Sequence, residues 1–240
     1  MKGRPLKPRQ AGLIDTLLPH LAIDIPDEGE IDLAFPSPLA EGERLGAGAV
    51  LVPPADDALA APSRIILEIG FGGGEHLVAQ ASRAPDALFL GAEPFLNGVG
   101  SCLRHVEESG AGNVRLHHGD ARDLIDKLPP ASLDLIYILF PDPWPKTRHW
   151  KRRLIQPAFI AALARVLKPG GEVRFATDWK AYAAWTLEAY LRAPAFTWTA
   201  ERADDWRQAW ADHARTRYEE KALGDTAPIF LRFQRVARAT

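Results

Sequence analysis

The chain has 240 residues, 47% of them hydrophobic and 25% charged, which is enough for one α/β domain with a full core and short for two. Its 29 Lys and Arg stand against 31 Asp and Glu, a net charge of -2, so no global field attracts a polyanion and any nucleic-acid surface must be a local basic patch. The lone cysteine, Cys102, excludes an intrachain disulfide and suits a reducing cytoplasm, and no apolar run approaches the roughly 20 residues that span a bilayer.

The start, Met1-Lys2-Gly3-Arg4-Pro5, is basic but is not followed by the apolar stretch of a secretory leader. Residues 1–10 read as a mobile arm, and residues 11–35 carry short apolar segments of undecided type. Residues 36–63, dense in Pro, Gly and Ala, read as a loop or linker. This divides the chain into a lead-in, 1–63, and a body, 64–240.

From Arg64 strands and helices alternate. The patterning predicts strands at Arg64–Ile69, Ala87–Ala92, Asn113–His117, Leu133–Phe140, Glu172–Ala176, Phe196–Thr199 and Ile229–Gln234. It predicts helices at Glu75–Arg83, Phe95–Ser109, Leu154–Leu167 (stopped by Lys168-Pro169-Gly170-Gly171) and Lys180–Arg192. Such alternation implies a mostly parallel seven-stranded sheet with helices on both faces, whose ligands lie beyond the strand carboxyl ends.

The first strand runs into Gly70-Phe71-Gly72-Gly73-Gly74, glycines that let the backbone turn sharply and approach a ligand closely. A dinucleotide loop has Gly at its third fingerprint position, where this chain has Glu75, an acid beside the diphosphate. S-adenosylmethionine carries a sulfonium cation and no phosphate, so acids around it are acceptable, and Glu68, Gly70 and Gly72 are placed to meet it. Glu93 ends the second strand, 23 residues beyond Gly70, where an acid accepts ribose hydroxyls. Asp120 follows the third strand, within reach of an adenine amine. Any one of these acids reads equally well as a solvated loop residue; together, set at successive strand ends, they argue for a cofactor.

After the fourth strand comes Phe140-Pro141-Asp142-Pro143-Trp144-Pro145, in which prolines fix φ on both sides of Asp142. A rigid carboxylate there suits reading a base edge. Lys146, Arg148, Lys151, Arg152 and Arg153 follow within eight positions, with His149 and Trp150 among them, a compact phosphate patch with a stacking ring.

With these motifs in hand the chain resembles the bacterial TrmB-type tRNA (guanine-N7)-methyltransferases. The resemblance is carried by Glu68-Ile69-Gly70-Phe71-Gly72-Gly73-Gly74, by Phe140-Pro141-Asp142-Pro143-Trp144 with its basic run, and by Thr216-Arg217-Tyr218-Glu219-Glu220-Lys221, with Gly3-Arg4 and Gln10 as a leading motif. Tyr218 stands where the family usually has Phe. The resemblance implies a Rossmann-like class I S-adenosylmethionine-dependent fold and places Glu68, Glu93, Asp120 and Asp142 at the cofactor. It makes Asp142 the catalytic residue and assigns Lys146, Asp178, Thr216, Arg217, Tyr218 and Glu219 to the substrate. It assigns Arg148, His149, Trp150, Lys151, Arg152 and Arg153 to RNA, and the variable-loop guanine as target. It leaves monomer and homodimer open.

Two enzyme alternatives and one binding alternative compete. An exocyclic-amine methyltransferase places Pro-Pro between its Asn or Asp and its aromatic ring, and here a single proline separates Asp142 from Trp144. A cytosine-C5 enzyme needs a thiolate nucleophile, and Cys102 falls in a helix as a core residue. A non-catalytic RNA-binding subunit would tolerate an eroded glycine loop or the loss of Asp142. No Cys/His cluster points to a metal: His117 and His118 face opposite sides of a strand. Trp206 and Trp210, four apart, read as one helix face packed on the core, and Trp179 and Trp185 as core rings.

Overall fold

The computed structural model describes residues 5–33, 62–221 and 223–237. Gly3, Arg4 and most of the expected 36–63 linker lie outside the described residues. The chain divides into two compact units, one through Lys127 and one from Leu128. The described residues include seven strands, three in the first unit and four in the second.

In the first unit, β1 (Ile65–Ile69), β2 (Leu88–Ala92) and β3 (Val114–His117) pair in parallel. β2 is buried along its whole length, the pattern of a parallel strand covered on both faces. Helices α3 (Glu75–Arg83), α4 (Leu96–Ser109) and α5 (Ala121–Lys127) connect or follow them. The first two match the predicted spans to within a residue. α5 went unpredicted, because its apolar positions Leu124 and Ile125 are too few to set a period.

The lead-in is more ordered than its composition suggests. α1 (Pro8–Thr16) begins with proline, pre-set for a first helical turn, and α2 (Leu18–Leu21) follows. Thus residues 8–10, expected in a mobile arm, are helical. Arg9 pairs with Glu107 and Glu108, and the Gln10 amide donates to Ser101 at 2.9 Å. A Cβ on Gly100 would sit 3.1 Å from that of Gln10, so glycine there lets α1 lie close on α4. The chain then bridges to β3, where Ile23 N donates to Leu116 O at 2.9 Å. Leu13, Leu17, Leu21 and Ile23 are buried, so the segment seals an edge that would otherwise present open backbone groups.

In the second unit, β4 (Leu133–Leu139) pairs in parallel with β5 (Leu167–Thr177), and β7 (Ile229–Arg235) runs antiparallel to β5 and to β6 (Phe196–Trp198). β5 starts five residues before the predicted Glu172. The Lys-Pro-Gly-Gly segment that ends α6 (Pro157–Val166) belongs to the strand as a bulge, where the register jumps from Leu133↔Leu167 to Leu135↔Glu172. α7 spans Lys180–Leu191. The expected helix through Trp206 and Trp210 is shorter. α8 is Asp204–Arg207, and Trp210 leaves it to stand edge-on against Phe230, ring centroids 5.2 Å apart. No helix among the described residues is long and apolar enough to cross a membrane.

Candidate active site

Each unit carries candidate site residues of its own. In the first, the glycine loop between β1 and α3 holds Gly70, Gly72 and Gly74 at φ of 71°, 56° and 80°, a region side chains other than glycine enter at a cost of about 1–3 kcal/mol. One side of the loop is packed: a Cβ on Gly74 would collide with Cys102, and one on Gly98 with the Gly72 carbonyl. The other side is open, because a Cβ on Gly70 or Gly72 would meet nothing within 4 Å. That open cradle beside buried acids suits a small ligand.

Glu93 is 4% exposed, and its carboxylate accepts from Gly72 N and Phe95 N, both at 2.9 Å. It ties the end of β2 to the loop. Glu68 is 2% exposed and hydrogen-bonded to His76 Nδ1 at 2.7 Å, and His76 Nε2 lies 3.3 Å from Gln80. This buried chain joins β1 to α3 beneath the loop. Asp120 engages the Arg122 guanidinium through both oxygens and accepts from Arg122 N. The Arg122 hydrogen bond leads in holding the Asp120 carboxyl below its usual range, over a smaller opposing effect of burial.

In the second unit, Asp142 is exposed on the loop that follows β4. Phe140 and Trp144 on either side of it have φ of 50° and 43°. Two non-glycine residues in the left-handed region cost on the order of 1–3 kcal/mol each and persist only where the surroundings hold them. Here the following segment does so. Thr147–Arg152 forms a 3-10 helix that folds back: the Arg152 guanidinium lies 4.9 Å over the Trp144 ring, and His149 stands edge-on to that ring at 5.7 Å.

The basic run therefore has two faces. Lys146, Arg148, Lys151 and Arg152 are exposed, His149 and Trp150 half-buried. Arg153, expected on the RNA surface, is instead one of the most buried side chains, with Trp150, Tyr182 and Trp185 around its guanidinium. Position in a charge run signals nothing about which way a side chain points, and the rings enclosing Arg153 come from Trp150 and from α7.

Asp178 directly follows β5 and is 3% exposed. Its Oδ2 accepts from Gly224 N at 2.7 Å, while Oδ1 is buried without a partner among the described residues. Gly224 must lack a side chain, since a Cβ there would run into Asp178. α9 (Arg217–Glu220) opens with a reciprocal cap: Thr216 Oγ1 accepts from Glu219 N at 3.1 Å, and the Glu219 carboxylate reaches back to Thr216 N at 3.5 Å. The Tyr218 ring lies 6.0 Å from Phe140, and its hydroxyl pKa is raised, first by burial and then by the charges of Asp178 and Asp142. The loops after β4 and β5 and the 216–219 segment thus converge.

Sequence reading missed what holds that last segment. His213 Nε2 lies 2.8 Å from Glu219 Oε2, and Arg174 on β5 donates to both oxygens of Asp212 and to the Tyr137 hydroxyl. The Thr-x-x-Glu spacing announces the cap; nothing local announces Arg174. Among the described residues no cluster of three or more His, Cys, Asp or Glu is arranged to hold a metal ion.

A family model described as a putative methyltransferase matches residues 62–231. The tRNA (guanine-N(7)-)-methyltransferase of Caulobacter vibrioides strain NA1000 / CB15N is 52% identical over 236 residues, 98% of this chain and 92% of the relative. That of Rhodopseudomonas palustris strain BisB5 is 47% identical over 238 residues, 98% and 84% respectively. Among solved structures, the 16S rRNA (adenine(1408)-N(1))-methyltransferase W203A mutant with cosubstrate SAM from Catenulisporales acidiphilia superposes with a TM-score of 0.53 at 17% identity, over 74% of this chain and 88% of that one. TrmN from Thermus thermophilus gives 0.53 at 19%, over 73% and 45%. These two likenesses establish a methyltransferase fold. The matches along nearly the whole length go further, and on them the chain belongs to the family of tRNA (guanine-N(7)-)-methyltransferases.

Proposed function

We propose that the protein transfers a methyl group from S-adenosylmethionine to N7 of a guanine in the tRNA variable loop. The observation that carries this is the 52% identity to a curated relative over 98% of the chain. The glycine loop, open at Gly70 and Gly72 and packed elsewhere, fits the cofactor. Glu93 would take the ribose hydroxyls and Asp120 the adenine amine, the latter sharing its carboxylate with Arg122. Glu68, buried on His76, would support the loop from beneath. When bound, S-adenosylmethionine supplies an electrophilic methyl on a sulfonium.

Guanine N7 has an in-plane lone pair and no proton, so no general base is needed. The residues' work is orientation and electrostatics. Asp142 would accept from the guanine N1–H and N2 amine and offset the positive charge that N7 methylation leaves on the purine. Asp178 brings a buried acceptor, Oδ1, without a partner among the described residues, and Glu219 a carboxylate fixed by Thr216 N and His213. Lys146 would hold a substrate phosphate, Tyr218 would pack on the base, and Arg148, Lys151 and Arg152 would face the tRNA backbone. His149 and Trp150 shape the segment from its half-buried side.

The test is nucleoside mass spectrometry of unmodified tRNA incubated with the protein and S-adenosylmethionine. We expect 7-methylguanosine, reduced about 10²–10³-fold in rate by Asp142→Asn. A different methylated nucleoside would overturn the target. Wild-type turnover by Asp142→Asn would remove Asp142 from catalysis.

A further inference from the structure

Arg153 closes the basic run yet is only 2% exposed. Its guanidinium carbon lies 4.7 Å from the Trp150 ring centroid, 5.0 Å from Tyr182 and 5.3 Å from Trp185. Nε donates to the Pro143 carbonyl at 2.9 Å, and Nη1 reaches the Ala181 carbonyl at 3.5 Å. Pro143 directly follows Asp142, and Ala181 lies in the first turn of α7, which begins two residues after Asp178. One planar side chain therefore grips the loop of one carboxylate and the helix behind the other. The gripped carbonyl sits between two residues that each need outside support: Asp142 is flanked by Phe140 and Trp144 at positive φ, and Trp144 directly follows Pro143. Three rings pack on this cation, and with 2% of the residue exposed a phosphate has no open path to it.

We propose that Arg153 is a positioning residue and not an RNA contact: by holding Pro143 against α7 it fixes the direction in which Asp142 is presented. The proposal rests on Asp142 as the catalytic carboxylate, and its test separates the two. A lysine keeps a charge among the rings but lacks the planar fork that serves Pro143 and Ala181 together.

Full-length Arg153→Gln and Arg153→Lys are compared with Arg152→Gln and Asp142→Asn. The readouts are kcat and KM for methyl transfer, tRNA affinity across a salt series, and hydrogen exchange of the Asp142, Trp144 and Lys146 amides, the prolines between them having none. Arg153→Gln is expected to lower kcat about 10–10²-fold, to keep tRNA affinity within about twofold with an unchanged salt slope, and to speed exchange of those amides about tenfold or more. Arg153→Lys should recover part of kcat. Arg152→Gln should weaken binding and flatten the salt slope by somewhat less than one phosphate's worth, about 0.7–0.9. A flattened slope and lost affinity in Arg153→Gln with kcat retained would make Arg153 an RNA contact and overturn the proposal, as would unchanged loop exchange. Should the Gln variant fail to fold, wild-type kcat and loop exchange in the Lys variant would overturn it. Full turnover by Asp142→Asn would fell the catalytic reading alone, and the exchange at 142–146 would still decide what Arg153 does.

Discussion

Asp178 commits one carboxylate oxygen to structure and leaves the other without a partner among the described residues. Oδ2 is bound to Gly224 N, and its backbone carbonyl accepts from Asp225 N and Thr226 N, so the residue organises its own surroundings and leaves Oδ1 as a desolvated acceptor. Asp178→Asn keeps an oxygen for Gly224 and turns an NH2 toward the position of Oδ1, replacing acceptor by donor. We expect methyl transfer to fall about 10²-fold with little change in melting temperature, measured by single-turnover kinetics and thermal unfolding. Asp178 and Asp142 were legible in the sequence because each follows a strand recognisable from its apolar run. The outcome for Arg153 was not, since its burial depends on Tyr182 and Trp185, some 30 positions away in the chain.

At the scale of elements, the two loops are held by opposite means. The glycine loop relies on residues without side chains. Gly74→Ala would combine a φ of 80° with a collision against Cys102, and should cost about 1–3 kcal/mol, seen as a melting temperature lower by roughly 2–4 °C per kcal/mol for a chain of this size. The 208–221 segment relies on charge and rings. Arg174 grips Asp212, and Trp210 packs on Phe230 with Tyr137 and His213 alongside. The Asp212 carboxyl lies below its usual range: burial, the largest influence, would raise it, but the hydrogen bond and charge of Arg174 outweigh it. A carboxyl depressed on folding stabilises the fold above its unfolded pKa of about 3.9 and loses that contribution as pH falls through the folded value. Asp212→Asn should therefore unfold more easily than wild type at neutral pH, the gap closing below about pH 4 in melting curves taken across pH. Alternating strands and helices announced the sheet, but this fastening joins β5 to an irregular segment nearly forty positions on, a distance at which periodicity carries no information.

For the whole molecule, a net charge of -2 makes tRNA binding depend on where the cations stand. With Lys146, Arg148, Lys151 and Arg152 exposed, about three or four phosphates can be neutralised, so the affinity should fall with a log–log salt slope of roughly -2 to -4. Changing Lys146, Arg148 and Lys151 together to Gln should remove most of that slope, measured by tRNA binding between about 50 and 200 mM salt. The lead-in is the part of the molecule least readable from composition: α1 is short and shows its reason only against α4, where Gly100 and Ser101 receive it.

Cys102 has a consequence of its own. It is the chain's only thiol, it is fully buried behind Gly74, and burial first, then the nearby Glu68, Glu75 and Glu93, hold its pKa well above the ordinary value. A closed molecule thus offers an alkylating reagent neither access nor a thiolate. Each modification event must wait for α4 to part from the glycine loop, so the labelling rate is a clock for that opening. S-adenosylmethionine seated on the open side of the loop should slow the clock in proportion to its occupancy, giving a label-free native protein its own gauge of cofactor affinity.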